Sequence, residues 1–356
     1  MNDLDIIVCG KCRGDLAELG NAVKCTACGE AYHASDGFYR LEEGKYYWGE
    51  IPQGRMTEIN SMARKEGWRK AVAEMARGGL LPEESVCGRS RANFRFHLPI
   101  PHDSRVVDIG SGWGAIPFLL ADVYSDVWSL EYINERVEFQ TIRKAQEGRE
   151  NLRVVQSSLY GLPFRDESFD LVVMNGVLEW AGLSFLEKNP RDVQLEVLRD
   201  VLRILKKGGI LYVGIENRIG YGFFLGRKDH TGLPFTSLLP RFAADMVMRI
   251  RKKDIWRTGH GSASYRTYTY SPDGYRRLFR DAGFESTEIF WVLPSYNQPV
   301  ASAPADDTRM IEAYLSVLKP GSPKKEAALK IFRELCRRGF MKWFSSDLLM
   351  YSKKGS

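Results

Sequence analysis

Four cysteines near the start of the chain have the spacing of a metal site. Cys9, Cys12, Cys25 and Cys28 form two CxxC pairs separated by twelve residues. Two such pairs can place four thiolates tetrahedrally around one Zn²⁺, and a closed set of four ligands leaves no open position for catalysis. Disulfides are the competing interpretation, but the N-terminus lacks the basic and then apolar order of an export signal. We therefore expect a structural zinc ribbon over residues 1–44.

A second set of residues suits a nucleoside. Gly110, Gly112 and Gly114 alternate directly after residues 105–109, whose apolar run predicts a buried strand. Since glycine has no side chain, backbone amides in such a turn can approach a ligand closely. Glu131 follows about 20 residues later at the end of another apolar run, the offset at which a carboxylate reaches ribose hydroxyls. The spacing therefore predicts a nucleoside site at the ends of two strands.

Asp108, on the strand before the turn, indicates that the nucleoside is cationic. A dinucleotide site has the pattern GxGxxG, whereas this chain has DxGxGxG. A carboxylate here would repel a pyrophosphate and attract a cation. The stretch resembles the first motif of class I S-adenosylmethionine-dependent methyltransferases, whose ligand carries an ammonium and a sulfonium. The resemblance implies S-adenosylmethionine as cofactor, bound by Asp108, Gly110, Ser111, Gly112, Gly114 and Glu131.

Further motifs extend the resemblance over about residues 104–215, and it returns at 272–292. SFDLVVMNGVLEW resembles the fourth strand of these enzymes, and LRDVLRILKKGGIL resembles their next helix, turn and strand. The family usually has an acidic residue after the third strand, which accepts a hydrogen bond from the adenine amino group. The matching residue in SSLYGLPF is Ser158, followed by Leu159, and a hydroxyl accepts that bond more weakly than a carboxylate. Asn175 is the remaining residue that the resemblance assigns to the cofactor, and it borders the methyl-transfer cleft.

The alternation of helices and strands predicts an α/β fold with a doubly wound parallel sheet. The resemblance implies seven strands in the order 3-2-1-4-5-7-6, with a last antiparallel strand over 347–353. The second of two inserted cap segments is expected to hold two helices. The expected parts are the zinc ribbon at 1–44, a helical lead-in at 45–103, and a methyltransferase domain at 104–356 with insertions at about 216–270 and 294–345.

Two local predictions concern the lead-in. Apolar and small residues at helical spacing predict one helix over 55–77, which Gly78 and Gly79 end. Arginines alternate with Phe94 and Phe96 over the segment 89–96, which predicts a surface strand or loop.

Methyl transfer is an in-line displacement at a sulfonium carbon, so the protein must align the acceptor and remove a proton from it. The candidate bases are Glu179, Glu216, Asp229, His230 and His260. The histidines have the pKa best suited to neutral pH, and both lie in the first inserted segment, so His260 and His230 are the first choices. Glu216 can instead pair with Arg218. No motif indicates a catalytic metal.

Three hypotheses remain for the acceptor. The aromatic, hydroxyl and amide groups of the inserted segments favour a small molecule or glycan, such as a sugar, nucleotide sugar or natural product. The alternative is RNA, because a zinc ribbon before a methyltransferase domain is similar to ribosomal RNA guanine methyltransferases. The third is a binding protein that retains the cofactor pocket without turnover, which the intact glycines and Glu131 disfavour.

Charge limits the choice of acceptor, and hydropathy limits the cellular location. The net charge is only +6, but ten Arg or Lys stand against three Asp between Arg241 and Arg280. This local surplus suits an anionic substrate such as a phosphorylated compound, whereas the modest overall charge makes RNA the weaker choice. No window approaches the ~18 consecutive apolar residues of a membrane span, and we expect a cytoplasmic protein.

Overall fold

The computed structural model describes residues 2–47, 49–251, 264–319, 321 and 323–356. Within these residues, twelve strands form one continuous sheet in the order β1-β2-β3-β4-β7-β6-β5-β8-β9-β12-β10-β11. The strands are β1 (Leu16–Leu19), β2 (Ala22–Cys25), β3 (Ala31–Ser35), β4 (Phe38–Arg40), β5 (Arg105–Ile109), β6 (Asp126–Glu131), β7 (Leu152–Gln156), β8 (Phe169–Asn175), β9 (Leu205–Glu216), β10 (Ser286–Ser295), β11 (Gln298–Pro304) and β12 (Asp347–Lys353).

The central seven strands confirm the predicted order. Counted from β5, the run β7-β6-β5-β8-β9-β12-β10 is 3-2-1-4-5-7-6. Strands β5 to β9 pair in parallel, and β12 is antiparallel to both β9 and β10. The carboxyl ends of β5, β6, β7, β8 and β9 therefore share one edge, where an open α/β sheet binds its ligands.

The sheet is larger than the seven strands expected. At one edge, β4 of the cysteine-rich segment pairs in parallel with β7, so that β1 to β4 continue the same sheet. At the other edge, β11 forms an antiparallel hairpin with β10. The two helices expected in the insertion at 294–345 are present at Thr308–Val317 and Pro323–Arg337, but the insertion also holds β11, which was not predicted.

Helices cover both faces of the central strands. They are α1 (Gln53–Glu66), α2 (Trp68–Arg77), α3 (Glu84–Cys87), α4 (Ala115–Leu120), α5 (Asn134–Glu147), α6 (Pro190–Ile204), α7 (Tyr221–Phe224), α8 (Arg241–Arg251), α9 (Pro272–Ala282), α10 (Thr308–Val317), α11 (Pro323–Arg337) and α12 (Met341–Phe344). The predicted single helix over 55–77 is two helices, because Gly67 takes φ +96° and ends α1. A positive φ does not fit a right-handed helix, and glycine adopts it at little cost.

The arginine and phenylalanine segment of the lead-in is neither a strand nor a plain surface loop. Residues Arg89–His97 form 3-10 turns. Phe94 is fully buried and stacks on Tyr212 of β9 with ring centroids 3.8 Å apart, while Phe96 is 73% exposed. The segment therefore packs its inner aromatic ring against the sheet.

The core lies on both sides of the sheet. Successive residues of β5 alternate, with Val106 in one buried apolar cluster and Val107 and Ile109 in the other. Because both faces are covered, these strands are apolar at nearly every position. Asp108 breaks that pattern within a fully buried strand, which makes it a functional candidate. Among the described residues, none of the helices has the length and apolarity needed to cross a membrane.

Candidate active site

The glycine turn at the end of β5 has the conformation that its sequence requires. Gly110, Gly112 and Gly114 have φ values of +69°, +59° and +79°. A Cβ on Gly110 would lie 2.7 Å from a methyl of Val177, so this position accepts no side chain. A Cβ on Gly112 would meet no described atom within 4 Å. Gly112 therefore faces open space, and a ligand can approach the backbone there.

Glu131 holds this turn against the end of β6. Its carboxylate accepts hydrogen bonds from the backbone N–H groups of Gly112 at 2.7 Å, Tyr132 at 3.0 Å and Ile133 at 2.9 Å. A carboxylate can accept about four hydrogen bonds, so capacity remains for a ribose hydroxyl. Ser111, also assigned to the cofactor, accepts hydrogen bonds through Oγ from Ser129 Oγ and Gln140 Nε2. These bonds order the turn before any ligand arrives.

Asp108 is almost completely buried, with 2% of its surface exposed. Burial raises the pKa of its carboxyl well above the ordinary value, and the positive charge of Arg91 opposes that effect. A cationic ligand near Asp108 would favour the ionised form, because an opposite charge stabilises a carboxylate. This environment fits the ammonium and sulfonium of S-adenosylmethionine.

The other residues assigned to the cofactor lie along the same edge. Ser158 follows β7, and its backbone N–H donates to Oε2 of Glu42 at 3.0 Å. The Ser158 hydroxyl donates to the carbonyl of Tyr160, and the half-buried Leu159 packs on the core. Asn175 ends β8 and accepts a hydrogen bond from the Tyr212 hydroxyl at 3.3 Å. The carboxylate of Glu42 thus lies beside Ser158, although Glu42 comes from a distant part of the sequence.

Three of the candidate catalytic side chains lie together. Glu179 belongs to the 3-10 segment after β8, Glu216 is the last residue of β9, and His230 lies in the first inserted segment. His230 Nε2 is 3.4 Å from Glu216 Oε2 and 3.9 Å from Glu179 Oε1. Trp180 packs on the imidazole, with ring centroids 4.4 Å apart. We refer to Glu179, Glu216 and His230 as the acid–base cluster.

The remaining candidates are His260 and Asp229. His260 lies outside the described residues. Asp229 accepts hydrogen bonds from the amide and hydroxyl of Thr231, so its carboxylate orders the local turn. The expected pair between Glu216 and Arg218 is wrong, because Arg218 donates to the carbonyls of Ser237 and Leu239.

The charges in the acid–base cluster are strongly coupled. Burial and the neighbouring Glu216 charge raise the pKa of Glu179 to about 8. Burial also acts to raise the pKa of Glu216, but the charges of His230 and Arg227 outweigh it and lower the value to about 2. Burial opposes the charged form of His230, yet the two glutamates raise its pKa above the ordinary value. Near neutral pH, Glu216 is therefore a carboxylate and Glu179 is protonated, and the pKa of the His230 imidazole between them is shifted upward.

Packing connects the acid–base cluster to the glycine turn. The Tyr296 hydroxyl donates to Glu216 Oε1 at 3.3 Å. The same hydroxyl would lie 2.9 Å from a Cβ on Gly176, and the next residue, Val177, packs against Gly110. The ends of β5, β8 and β9 are thus linked by direct contacts, so a ligand on the glycine turn can face the cluster.

A cavity of about 80 Å³ opens beside the cluster. Glu216 and His230 line it from one side, and cationic and aromatic side chains complete it. The lining residues are Glu216, Phe223, Arg227, Lys228, Asp229, His230, Tyr265 and Thr269. The sequence analysis did not single out Arg227, which contacts Glu216 at 3.9 Å and the buried Asp347 at 3.1 Å. In the sequence, the one indication that Arg227 could belong to the site was its position in the Gly- and Arg-rich insertion.

The acid–base cluster also offers ligand atoms that lie within 4.8 Å of one another, a spacing that a divalent cation accepts. Both carboxylate oxygens of Glu179 are buried without a hydrogen-bond partner among the described residues. However, Arg227 already places a positive charge beside Glu216. A cation bound in the cluster would therefore meet the positive charge of Arg227.

The four cysteines meet at the tip of the ribbon. The sulfurs of Cys12 and Cys25 are 3.5 Å apart and those of Cys9 and Cys28 are 3.7 Å apart, with all four inside 4.8 Å of one another. These separations are far longer than the ~2.05 Å of a disulfide. They match the ~3.8 Å between sulfurs arranged tetrahedrally around zinc at a Zn–S distance of ~2.3 Å. The donor set therefore fits one structural Zn²⁺.

Part of the chain matches a known protein domain. A family model described as a methyltransferase domain matches residues 107–213. The uncharacterized methyltransferase YcgJ of Bacillus subtilis is 30% identical over 107 residues, which are 30% of this chain and 38% of that protein. Phosphoethanolamine N-methyltransferase 1 of Caenorhabditis elegans is 27% identical over 130 residues, which are 36% of this chain and 25% of that protein. The chain thus spans well under half the length of these relatives.

Solved structures of related architecture are also found. One is a chain from the complex between the Haloferax volcanii Trm112 methyltransferase activator and a candidate methyltransferase. The two sequences are 17% identical, and the TM-score is 0.46. The alignment covers 84% of this chain and 98% of that chain. Another is Haemonchus contortus phosphoethanolamine N-methyltransferase 2 with S-adenosyl-L-methionine, with 12% identity and a TM-score of 0.46 over 84% of this chain and 60% of that chain. The family match, the glycine turn and the strand order together identify residues 107–213 as a methyltransferase domain with the class I fold, and this chain joins that domain to an N-terminal four-cysteine ribbon.

Proposed function

We propose that the protein transfers the methyl group of S-adenosylmethionine to a hydroxyl or amine of a small molecule, such as a sugar, nucleotide sugar or natural product. The observation that supports this most is the acid–base cluster, which adjoins a small cavity and is packed against the glycine turn. A half-buried imidazole between two buried carboxylates is costly unless it serves a purpose, so strongly shifted groups of this kind mark functional sites.

His230 is the proposed general base. Bound S-adenosylmethionine would supply an electrophilic methyl carbon, and in-line attack by an acceptor oxygen or nitrogen would leave the carbon–sulfur electron pair on sulfur as a neutral thioether. The acceptor proton passes to neutral His230, and the Glu216 carboxylate stabilises the imidazolium that forms. Protonated Glu179 adds no second negative charge at neutral pH, so it can donate a hydrogen bond to the acceptor. Asp108 and Glu131 would bind the cofactor's cationic group and ribose.

The lining of the cavity suits a phosphorylated acceptor. The cavity has a volume of about 80 Å³, which admits the reacting end of a substrate. Arg227 and Lys228 on its wall suit a phosphate, and one relative's name, phosphoethanolamine N-methyltransferase, describes an acceptor with both a phosphate and an amine. A phosphorylated amine or sugar is therefore the first compound class to test.

We further propose that the four-cysteine group binds one structural Zn²⁺ and that the protein works in the cytoplasm. Zinc would replace a hydrophobic core that four short strands cannot build alone. Its thiolate ligands persist in a reducing compartment.

Transfer of a radiolabelled methyl group to a fractionated metabolite pool tests the function. A labelled small product supports the proposal, whereas label found only in RNA, or in no fraction despite cofactor binding, contradicts it. His230→Gln should lower kcat at least about 100-fold with little change in affinity for S-adenosylhomocysteine. His102→Gln is the matched control, since His102 is exposed and its imidazole lies within hydrogen-bond distance of the Val123 carbonyl, away from the acid–base cluster. Turnover that requires added Mg²⁺ or Mn²⁺ would assign the cluster to a cation and overturn the role of His230 as base.

A further inference from the structure

A short segment that follows the ribbon crosses the ligand edge of the sheet. Residues 41–45, which we call the strap, leave β4 and run over the carboxyl ends of β6 and β7. The backbone N–H groups of Leu41 and Glu42 both donate to the carbonyl of Gln156, the last residue of β7, at 3.0 Å. Lys45 N–H donates to the Tyr132 hydroxyl at 2.9 Å. The strap is therefore fixed to both strands.

Gly44 brings the strap into close contact with the residues after Glu131. Gly44 N–H donates to Asn134 Oδ1 at 3.3 Å, and Asn134 Nδ2 donates back to the Gly44 carbonyl at 3.1 Å. A Cβ on Gly44 would lie 2.4 Å from the Tyr132 carbonyl oxygen, which leaves no room for a side chain. This close approach positions the neighbouring Glu42 over the end of β7.

The order of the strands decides where the base of a bound nucleoside lies. Glu131 reaches the ribose at the end of β6, and the methyl group must face the acid–base cluster beyond β8 and β9. Since β5 lies between β6 and β8, the methionine part of the cofactor extends from the ribose across β5. The adenine must then extend the other way, over the end of β7. There it meets Ser158 and the strap.

We propose that Glu42 accepts a hydrogen bond from the 6-amino group of the cofactor's adenine, so that the ribbon and its strap form part of the cofactor site. One carboxylate oxygen of Glu42 already accepts from Ser158 N–H at 3.0 Å, which holds the group at the end of β7. The carboxylate has capacity for further donors, and the 6-amino group is a donor. The Ser158 hydroxyl donates to the Tyr160 carbonyl and its oxygen can still accept, but a carboxylate accepts a hydrogen bond more strongly than a hydroxyl, so Glu42 is the stronger acceptor at this place.

This inference rests on the proposed function only in requiring that the cofactor is S-adenosylmethionine. It assigns base recognition to a residue more than 100 positions away in the sequence from Ser158. The ribbon, by continuing the sheet through β4 and β7, would then act on cofactor affinity as well as on stability.

Calorimetric titration with S-adenosylhomocysteine and S-inosylhomocysteine tests it, because inosine carries an acceptor in place of the 6-amino donor. The intact chain should bind the adenosine compound about tenfold or more tightly than the inosine compound, as expected for a hydrogen bond to a charged acceptor. Glu42→Gln should lose most of that ratio, since an amide can present either a donor or an acceptor. Glu43→Gln is the matched control, because Glu43 is the exposed neighbour in the same strap.

The possible outcomes distinguish a failure of this inference from a failure of the proposed function. If the Glu42→Gln variant binds S-adenosylhomocysteine and keeps the full preference for it over S-inosylhomocysteine, the role of Glu42 is overturned. The methyltransferase proposal then stays intact. An intact chain that binds neither compound overturns the proposed function itself. A double variant, Glu42→Gln with Ser158→Asp, should regain the preference for adenine if the missing group is a carboxylate at this place. If this double variant keeps its melting temperature but does not regain the preference for adenine, that result would also count against the inference.

Discussion

His230 Nε2 lies 3.4 Å from Oε2 of Glu216, although the two residues come from different parts of the fold. Glu216 ends a central strand, whereas His230 belongs to the inserted segment that follows it. The contact ties the insertion to the ligand edge of the sheet, and it gives the imidazole a raised pKa. Several measurable consequences depend on this pair and on the residues around it.

The rate of methyl transfer should depend on pH through His230. The imidazole must be neutral to accept a proton, and the adjacent carboxylates raise its pKa above the ordinary value of 6.5. We expect kcat to fall as pH decreases, with a midpoint above about 6.5. Glu216→Gln removes the main negative charge beside the ring, so the midpoint should move to lower pH. An unshifted midpoint in this variant would assign the titration to another group.

Glu179 should make the folded state less stable as pH rises. Its pKa is about 8 in the folded chain, compared with an ordinary value of 4.5. Between these values the folded state holds a proton that the unfolded chain releases, so wild-type stability falls with increasing pH. Glu179→Gln abolishes this titration. The melting temperature of the variant minus that of the wild type should therefore increase between about pH 5 and pH 8. A constant difference across that window would show that Glu179 is ionised in the fold.

Gly112→Ala should weaken cofactor binding through contact with the ligand itself. Gly112 has φ +59° and faces open space. Gly20 offers a matched control, because it has the same φ of +59° and its Cβ would also meet no described atom within 4 Å. Both substitutions should cost about 1 to 2 kcal/mol of backbone strain. Only Gly112→Ala should lower the affinity for S-adenosylhomocysteine, by about tenfold or more, in a calorimetric titration.

The four-cysteine group should hold one zinc per chain by elemental analysis. Cys12→Ser should lose the metal and lower the melting temperature, because the ribbon has only four short strands of its own. Cys87→Ser is the control, since Cys87 is a free thiol outside the cluster. If the strap depends on an ordered ribbon, Cys12→Ser should also weaken binding of S-adenosylhomocysteine. A purified chain with intact thiols and no zinc would contradict the metal assignment.

Local pattern was sufficient to predict much of this fold. The alternation of strands and helices predicted β5 to β9, because each buried parallel strand is apolar on both faces and ends in turn residues. The order of these strands was predicted from the resemblance to class I methyltransferases. The break at Gly67 was missed because the apolar spacing continues across it. The strand β11 was missed because it is stabilised mainly by pairing with β10, which no local pattern reveals.

The candidate site also contains some residues that local spacing predicts and others that meet only in the folded structure. The glycine turn and Glu131 lie within about 20 residues of each other, so spacing alone was informative. The acid–base cluster could only be proposed as a set of separate candidates, since Glu179, Glu216 and His230 meet through tertiary packing. The carboxylate beside Ser158 was not found at all. Glu42 is carried there by β4, and the parallel pairing of β4 with β7 is invisible in the sequence.

The pairing of β4 with β7 also decides how the chain can be shortened. Without residues up to Arg40, the backbone N–H and C=O groups along one side of β7 would lose their partners and form an open edge. Such an edge readily pairs with another chain, so a protein that starts after the ribbon is expected to self-associate. The ribbon thus protects the enzyme core from unwanted strand addition, in addition to any contribution it makes at the ligand.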